Sequence, residues 1–204
     1  MALSTFGFLV ITSIPTVIGI AEAIDGQKRQ NQEAKDRVKF HLTARFSADG
    51  VALPEQRVVV FKDKKLYFDH PSHPVRDGYV FNGYYFGWPG EEGVQGMVAQ
   101  VSEDPPVLNW IFADKETGVL RHGSRSEAAE HTHGSWSWTE DEAWLTLEGG
   151  QRFVAVENHD GSWTAHYDRE GNLDEVLDAR QVLDIQLHRE LQLGVSSSYV
   201  RADG

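Results

Sequence analysis

The chain has 204 residues, 19 Lys and Arg against 31 Asp and Glu, a formal net charge of −12 and no cysteine. So acidic a surface argues against nucleic acid as a partner, because phosphate recognition needs a basic footprint. Without cysteine there are no disulfides, thiolate metal sites, iron–sulfur clusters or cysteine nucleophiles, and 40% hydrophobic with 25% charged residues fits a globular domain instead of disorder.

Residues 1–21 carry no charged side chain, and the run ALSTFGFLVITSIPTVIGIA is 20 residues long, about enough to span a bilayer as a helix. Residues 1–24 therefore read as an apolar helical segment in one of three roles. It is a membrane anchor that keeps the following domain intracellular, since Lys28 and Arg29 follow the run and no basic side chain precedes it. Alternatively it is a helix packed in the protein or in an oligomer, with Pro15 as a break. The third role is a signal peptide cleaved near Ala23, at Ala21-Glu22-Ala23, which would make the protein secreted. The absence of any Asn-x-Ser/Thr sequon favours an intracellular domain. Residues 25–37 are rich in Gln, Glu, Ala, Lys and Arg, and read as a polar helical linker.

From residue 38 the hydrophobic period changes to alternation. Apolar or alternating runs occur at 38–44, 57–61, 66–68, 79–88, 97–101, 108–112, 135–138, 144–147, 153–156, 163–167 and 182–187. Gly- and Asp-rich turn signals separate them, among them Asp49-Gly50, Gly149-Gly150, Asp160-Gly161 and Gly171-Asn172. Such spacing predicts a mainly β fold, an antiparallel β-barrel or sandwich over residues 38–192 with a lipocalin- or calycin-like character. A short helix is expected within 172–180 and a mobile tail over 193–204. A two-residue turn at Asp160-Gly161 would pair Glu157 with Thr164. Val154, Val156, Trp163, Ala165 and Tyr167 would then face the core, and Glu157, His166 and Asp168 the other side.

Nine histidines are the candidate acid–base or metal-binding groups. In Glu130-His131-Thr132-His133 the two rings share a face of an extended strand, opposite in parity to Trp136 and Trp138. The pair resembles the start of a cupin metal site, yet the glycine, carboxylate and third histidine of that pattern are missing, so no metal is assigned. His70-Pro71-Ser72-His73-Pro74 reads as a rigid loop. His166, Glu157 and Asp168 are the candidate catalytic residues, as a carboxylate beside an imidazole makes a stronger base. Gly87 to Gly93 is glycine-rich but acidic and reads as a hairpin or lid loop, not a phosphate cradle. The aromatic residues exceed the needs of a small core, which points to an aromatic-lined pocket for an apolar small molecule. Tyr84, Tyr85, Trp88, Asn109 and Trp110 are its candidate lining.

The runs DHPSHPVRDGYVFNGYYFGWPGEEG and DPPVLNWIFADKETGVLRHGSR, with TSIPTVIGIAEAI and VLDIQLHRE, resemble a set of filamentous-fungal proteins that carry no assigned activity. That resemblance implies a fungal origin and transfers no site residue. Some fungal biosynthetic cyclases use lipocalin-like barrels, a likeness of fold only. The leading expectation is binding of an apolar small molecule or lipid in a barrel cavity, without a cofactor. One alternative is a cofactor-free isomerase or cyclase in that cavity. The other is a structural or membrane-assembly protein acting through residues 1–24.

Overall fold

The computed structural model describes residues 38–70 and 74–196. The expectations for residues 1–24, for the linker at 25–37 and for the tail beyond 196 lie outside the described residues. Among the described residues no helix is long and apolar enough to cross a membrane.

The alternation that begins at residue 38 becomes β1 (Val38–Ala48), with Phe40, Leu42, Ala44 and Phe46 buried on one face. Then follow β2 (Val51–Lys62), β3 (Lys65–Asp69), β4 (Tyr79–Val80) and β5 (Asn82–Gly87). The strands β6 (Gln95–Glu103), β7 (Pro106–Ala113) and β8 (Leu120–Gly123) continue a meander from β5. A one-turn helix α1 (Arg125–Ala128) precedes a separate hairpin of β9 (Trp136–Trp138) and β10 (Leu145–Leu147). The chain ends with β11 (Phe153–Glu157), β12 (Trp163–Tyr167), a one-turn helix α2 (Leu173–Val176) and β13 (Val182–Ser196), which runs past the expected domain edge at 192.

The sheet closes on itself. Nine antiparallel strands form a ring in the order β12, β11, β13, β1, β5, β6, β7, β8, β3 and back to β12. Three of its joints are single residue pairs: Phe40 with Gly83, Lys65 with Arg121, and Thr164 with Tyr67. Strand β2 bridges β1 and β3 and carries β4 on its far edge. Closure removes most of the exposed edges that an open sheet would present.

The interior is filled by the protein's own side chains. Phe40 lies 5.9 Å from Phe81 and meets Trp138 edge-on at 5.3 Å, while Phe61 lies 5.3 Å from Phe81. At the β1–β2 end, Phe46 meets Phe68 at 5.1 Å. Trp136 stacks parallel to Phe153, and Leu145 and Leu147 join the same cluster, so the β9–β10 hairpin contributes to the barrel core. Much of the aromatic excess in the sequence is thus spent on packing. Edge-to-face contacts of this kind add about 0.5–1.5 kcal/mol each beyond the area they bury.

The β11–β12 hairpin differs from the expected register by one residue. Glu157 pairs with Trp163, and Val154 with His166. The cause is a three-residue loop: Asn158 N–H donates to Ser162 O at 2.8 Å, Asp160 Oδ1 accepts from Ser162 N–H at 2.9 Å, and Gly161 takes a φ of +82°. Parity in β11 is therefore reversed. Phe153 and Ala155 face the core, whereas Val154 and Val156 face outward and are buried beneath Leu173 of α2.

Candidate functional site

The three candidate acid–base residues do not converge. The shifted register places Glu157 on the face of Trp163 and His166 on the opposite one, which corrects the expectation that they share a face. Glu157 pairs with Arg180 at 3.8 Å. His166 is 5% exposed. One ring nitrogen, Nε2, lies 3.1 Å from Thr164 Oγ1, and Nδ1 lies 3.2 Å from Thr117 O. Burial pushes its pKa down to about 4, against the pull of the Thr117 carbonyl and with a small push from Lys65, so the ring is neutral at pH 7. Asp168 accepts the backbone N–H groups of Gly171, Asn172 and Leu173 at 2.8, 3.1 and 3.3 Å, and so holds the turn into α2. Each of the three carries a local structural interaction.

The five candidate ligand-binding residues divide between two faces of the barrel wall. Tyr85 lies inside, against Phe40 and Trp138. Asn109 is paired with Ala99 of the core face and donates from Nδ2 to His122 Nδ1 at 2.9 Å. Burial, with help from Lys64, lowers the His122 pKa to about 4 and keeps that ring neutral as well. Tyr84 is opposite in parity to Tyr85, is 2% exposed, and has the Lys39 ammonium 6.0 Å from its ring centre. Trp88 and Trp110 come together at 4.5 Å in a second cluster with Phe112, Val94 and Ala128 of α1. Gly96 makes room for this arrangement, because a side chain there would collide with the Trp110 ring.

That outer cluster also receives the two histidines that the sequence singled out. A bridge between Thr132 and Ala113 of β7 lays the segment after α1 against the barrel. His131 stacks on Phe112, with ring centres 4.9 Å apart and planes 6° from parallel. His133 lies over Trp88 at 3.9 Å. The Lys115 N–H donates to His131 Nδ1 at 3.3 Å, which leaves Nε2 of that ring to carry the proton in the neutral form. His133 Nδ1 donates to His131 O at 3.1 Å, and its Nε2 lies 3.4 Å from Glu91 Oε1, a carboxylate oxygen that it can bond only as a donor. Nε2 of His131 thus offers a donor to a ligand, while both nitrogens of His133 are engaged by oxygen acceptors.

Both line an open cleft of about 620 Å³, with Val94 as an apolar wall and Lys115, Glu91, Glu130 and Arg169 at its rim. Arg169 is held there by a two-point pair with Glu148, whose charge also holds the guanidinium strongly protonated. Signs of charge are mixed around the opening. Among the described residues no group of three His, Cys, Asp or Glu side chains comes together to hold a metal. Sequence reasoning found Trp88, Trp110, His131 and His133 separately but did not join them. It missed α1, for which the Ser124-x-x-Glu127 spacing was an available signal: Ser124 Oγ accepts the Glu127 N–H at 3.2 Å.

The fold and this cleft define a closed antiparallel β-barrel protein with a polar, aromatic-backed cleft on its outer wall. Its residues 19–193 match the family model of the fungal beta-trefoil domain, and the chain belongs to that family. The fungal origin implied by the sequence resemblance stands, and the family's description carries no activity. No curated protein and no solved structure matches the chain.

Proposed function

We propose that the protein is a binding module that acts without chemistry, and that its ligand is a small neutral molecule with an apolar body and a hydroxyl or carbonyl group. The seat is the outer cleft at His131 and His133. The observation that carries this reading is the pair of imidazoles backed by Phe112 and Trp88, with the His131 Nε2 donor beside the apolar Val94. Rings held this way lose little freedom on binding, and preorganisation favours affinity. The lipocalin-like version of the same idea would put the ligand inside the barrel, but the rings of Phe40, Phe61, Phe81 and Trp138 already pack on one another there. The isomerase or cyclase reading gains no support from the separated positions of Glu157, His166 and Asp168.

Titration with 2-naphthol, a neutral apolar molecule with one hydroxyl, tests the seat by quenching of tryptophan fluorescence. The expected result is saturable binding that weakens about tenfold or more, the equivalent of about 1.4 kcal/mol, when His131 and His133 are both replaced by Ala. Tyr85→Phe, inside the barrel, is expected to leave it unchanged. Binding that is not saturable, or that ignores the double replacement, overturns the assignment.

A further inference from the structure

The barrel end beneath the β1–β2 hairpin holds an arginine that makes no direct ion pair among the described residues and whose Nε–H is buried without a partner. Arg57 of β2 is paired with Ala44, a core residue of β1, so its side chain points to the barrel's inner side. Its guanidinium carbon lies 4.3 Å from the centre of the Phe46 ring and 5.4 Å from that of Trp163. Those two rings meet edge-on at 5.8 Å and form an apolar floor. Above it a mouth of about 240 Å³ is lined by Phe46, Leu53, Pro54, Glu55 and Arg57. Leu53 is an exposed apolar rim residue, 37% accessible.

The natural counterion for Arg57 is diverted. Glu55, two residues away on the same strand, bonds His70 Nε2 at 2.5 Å. Among the described residues no carboxylate pairs with Arg57, and its Nε–H is buried without a hydrogen-bond partner. A buried donor without an acceptor is costly to the fold. The cost is recovered when an acceptor arrives. Burial also lowers the Arg57 pKa, with Glu55 opposing, but a guanidinium stays charged at any ordinary pH.

We propose that this mouth is a second ligand site, separate from the His131–His133 cleft, and that it takes the carboxylate of a small aromatic or short-chain acid. The carboxylate meets the planar fork of Arg57, the geometry that guanidinium recognises best. The hydrocarbon lies on Phe46 and Leu53. The volume is below the roughly 300–1,000 Å³ of pockets for drug-sized ligands, so the acid is fragment-sized.

The test uses phenylacetate and its neutral isostere phenylacetamide with the full chain, read by calorimetry. The expected result is saturable binding of phenylacetate, with phenylacetamide about tenfold weaker or more. Arg57→Met, which keeps an unbranched apolar stem, is expected to remove the advantage of the acid. Replacing both His131 and His133 by Ala is expected to leave phenylacetate binding unchanged, which separates this site from the outer cleft. The acid–amide comparison needs no variant and holds even if Arg57→Met fails to fold. Equal binding of acid and amide, retention of acid binding in folded Arg57→Met, or no saturable binding of the acid at tens of millimolar overturns the proposal.

Discussion

Gly118→Val is expected to destabilise the protein by more than about 3 kcal/mol, at the severe end for a single substitution. Gly118 sits in the β7–β8 connection with a φ of +69°, where a β-branched residue is strongly disfavoured. A Cβ there would lie 2.7 Å from Tyr167 O and 3.2 Å from Leu173 Cδ1. The first of these is backbone and cannot swing away. The residue also accepts the Tyr167 N–H at 2.7 Å and donates to Asp114 O at 2.8 Å, so the connection is stitched to the neighbouring β12. Moving it apart to admit the side chain breaks those bonds. Gly171, at a φ of +75° with nothing within 4 Å of a Cβ, is the control. Gly171→Ala carries only the left-handed backbone cost of about 1–2 kcal/mol. Urea unfolding of both variants checks this, and equal losses would contradict the account of Gly118.

Stability is expected to fall as the pH drops from 6.5 toward 4, and His166 is the main cause. Its folded pKa of about 4 lies below the ordinary value of 6.5 because burial disfavours the charged ring. Below 6.5 the unfolded chain takes up a proton that the folded chain refuses. The loss grows until the folded ring also protonates near pH 4, and is absent above 6.5. At pH 5 this amounts to about 2 kcal/mol for His166. His122 shifts the same way, through burial and the neighbouring Lys64, and contributes less because it is nearer to solvent. Asp114 acts in the same direction at lower pH: burial alone would raise its pKa, but the N–H groups of Thr117 and Glu116 hold it low, so its contribution is lost in more acid solution. In His166→Gln the loss between pH 7 and pH 5 should shrink by most of that 2 kcal/mol. An identical pH slope in wild type and variant would contradict the assignment.

Strand content was legible where alternation is clean and one face is polar. In β1 the buried Phe40, Leu42, Ala44 and Phe46 alternate with His41, Thr43 and Arg45, and the sequence pattern was sufficient. In β11 it was not, because both faces of Phe153-Val154-Ala155-Val156 are apolar. The outward valines are covered by α2, so alternation could not choose the parity. The exposed half of β2, Val51-Ala52-Leu53-Pro54-Glu55-Gln56, does not alternate and carries Pro54, so only its buried end was legible. Closure was hidden for another reason: joints of a single residue pair such as Phe40 with Gly83 leave no mark in local sequence. The site was legible in pieces. Trp88 and Trp110 announced themselves as aromatics and His131 and His133 as an unusual spacing, but only the Thr132–Ala113 bridge brings the two sets together. Arg57 gave no local signal, since its meaning depends on Glu55 being held by His70.

The central claim is that the outer cleft holds a small molecule without transforming it. The most direct measurement is a native mass spectrum of the full chain, gently purified from the organism that makes it, beside spectra of the same chain carrying His131→Ala with His133→Ala, and of His166→Ala. The account predicts a noncovalent added mass on the wild type that disappears on denaturation, persists in His166→Ala and is lost from the double variant. A wild type without added mass, or an added mass that survives in the double variant and vanishes from His166→Ala, would contradict it.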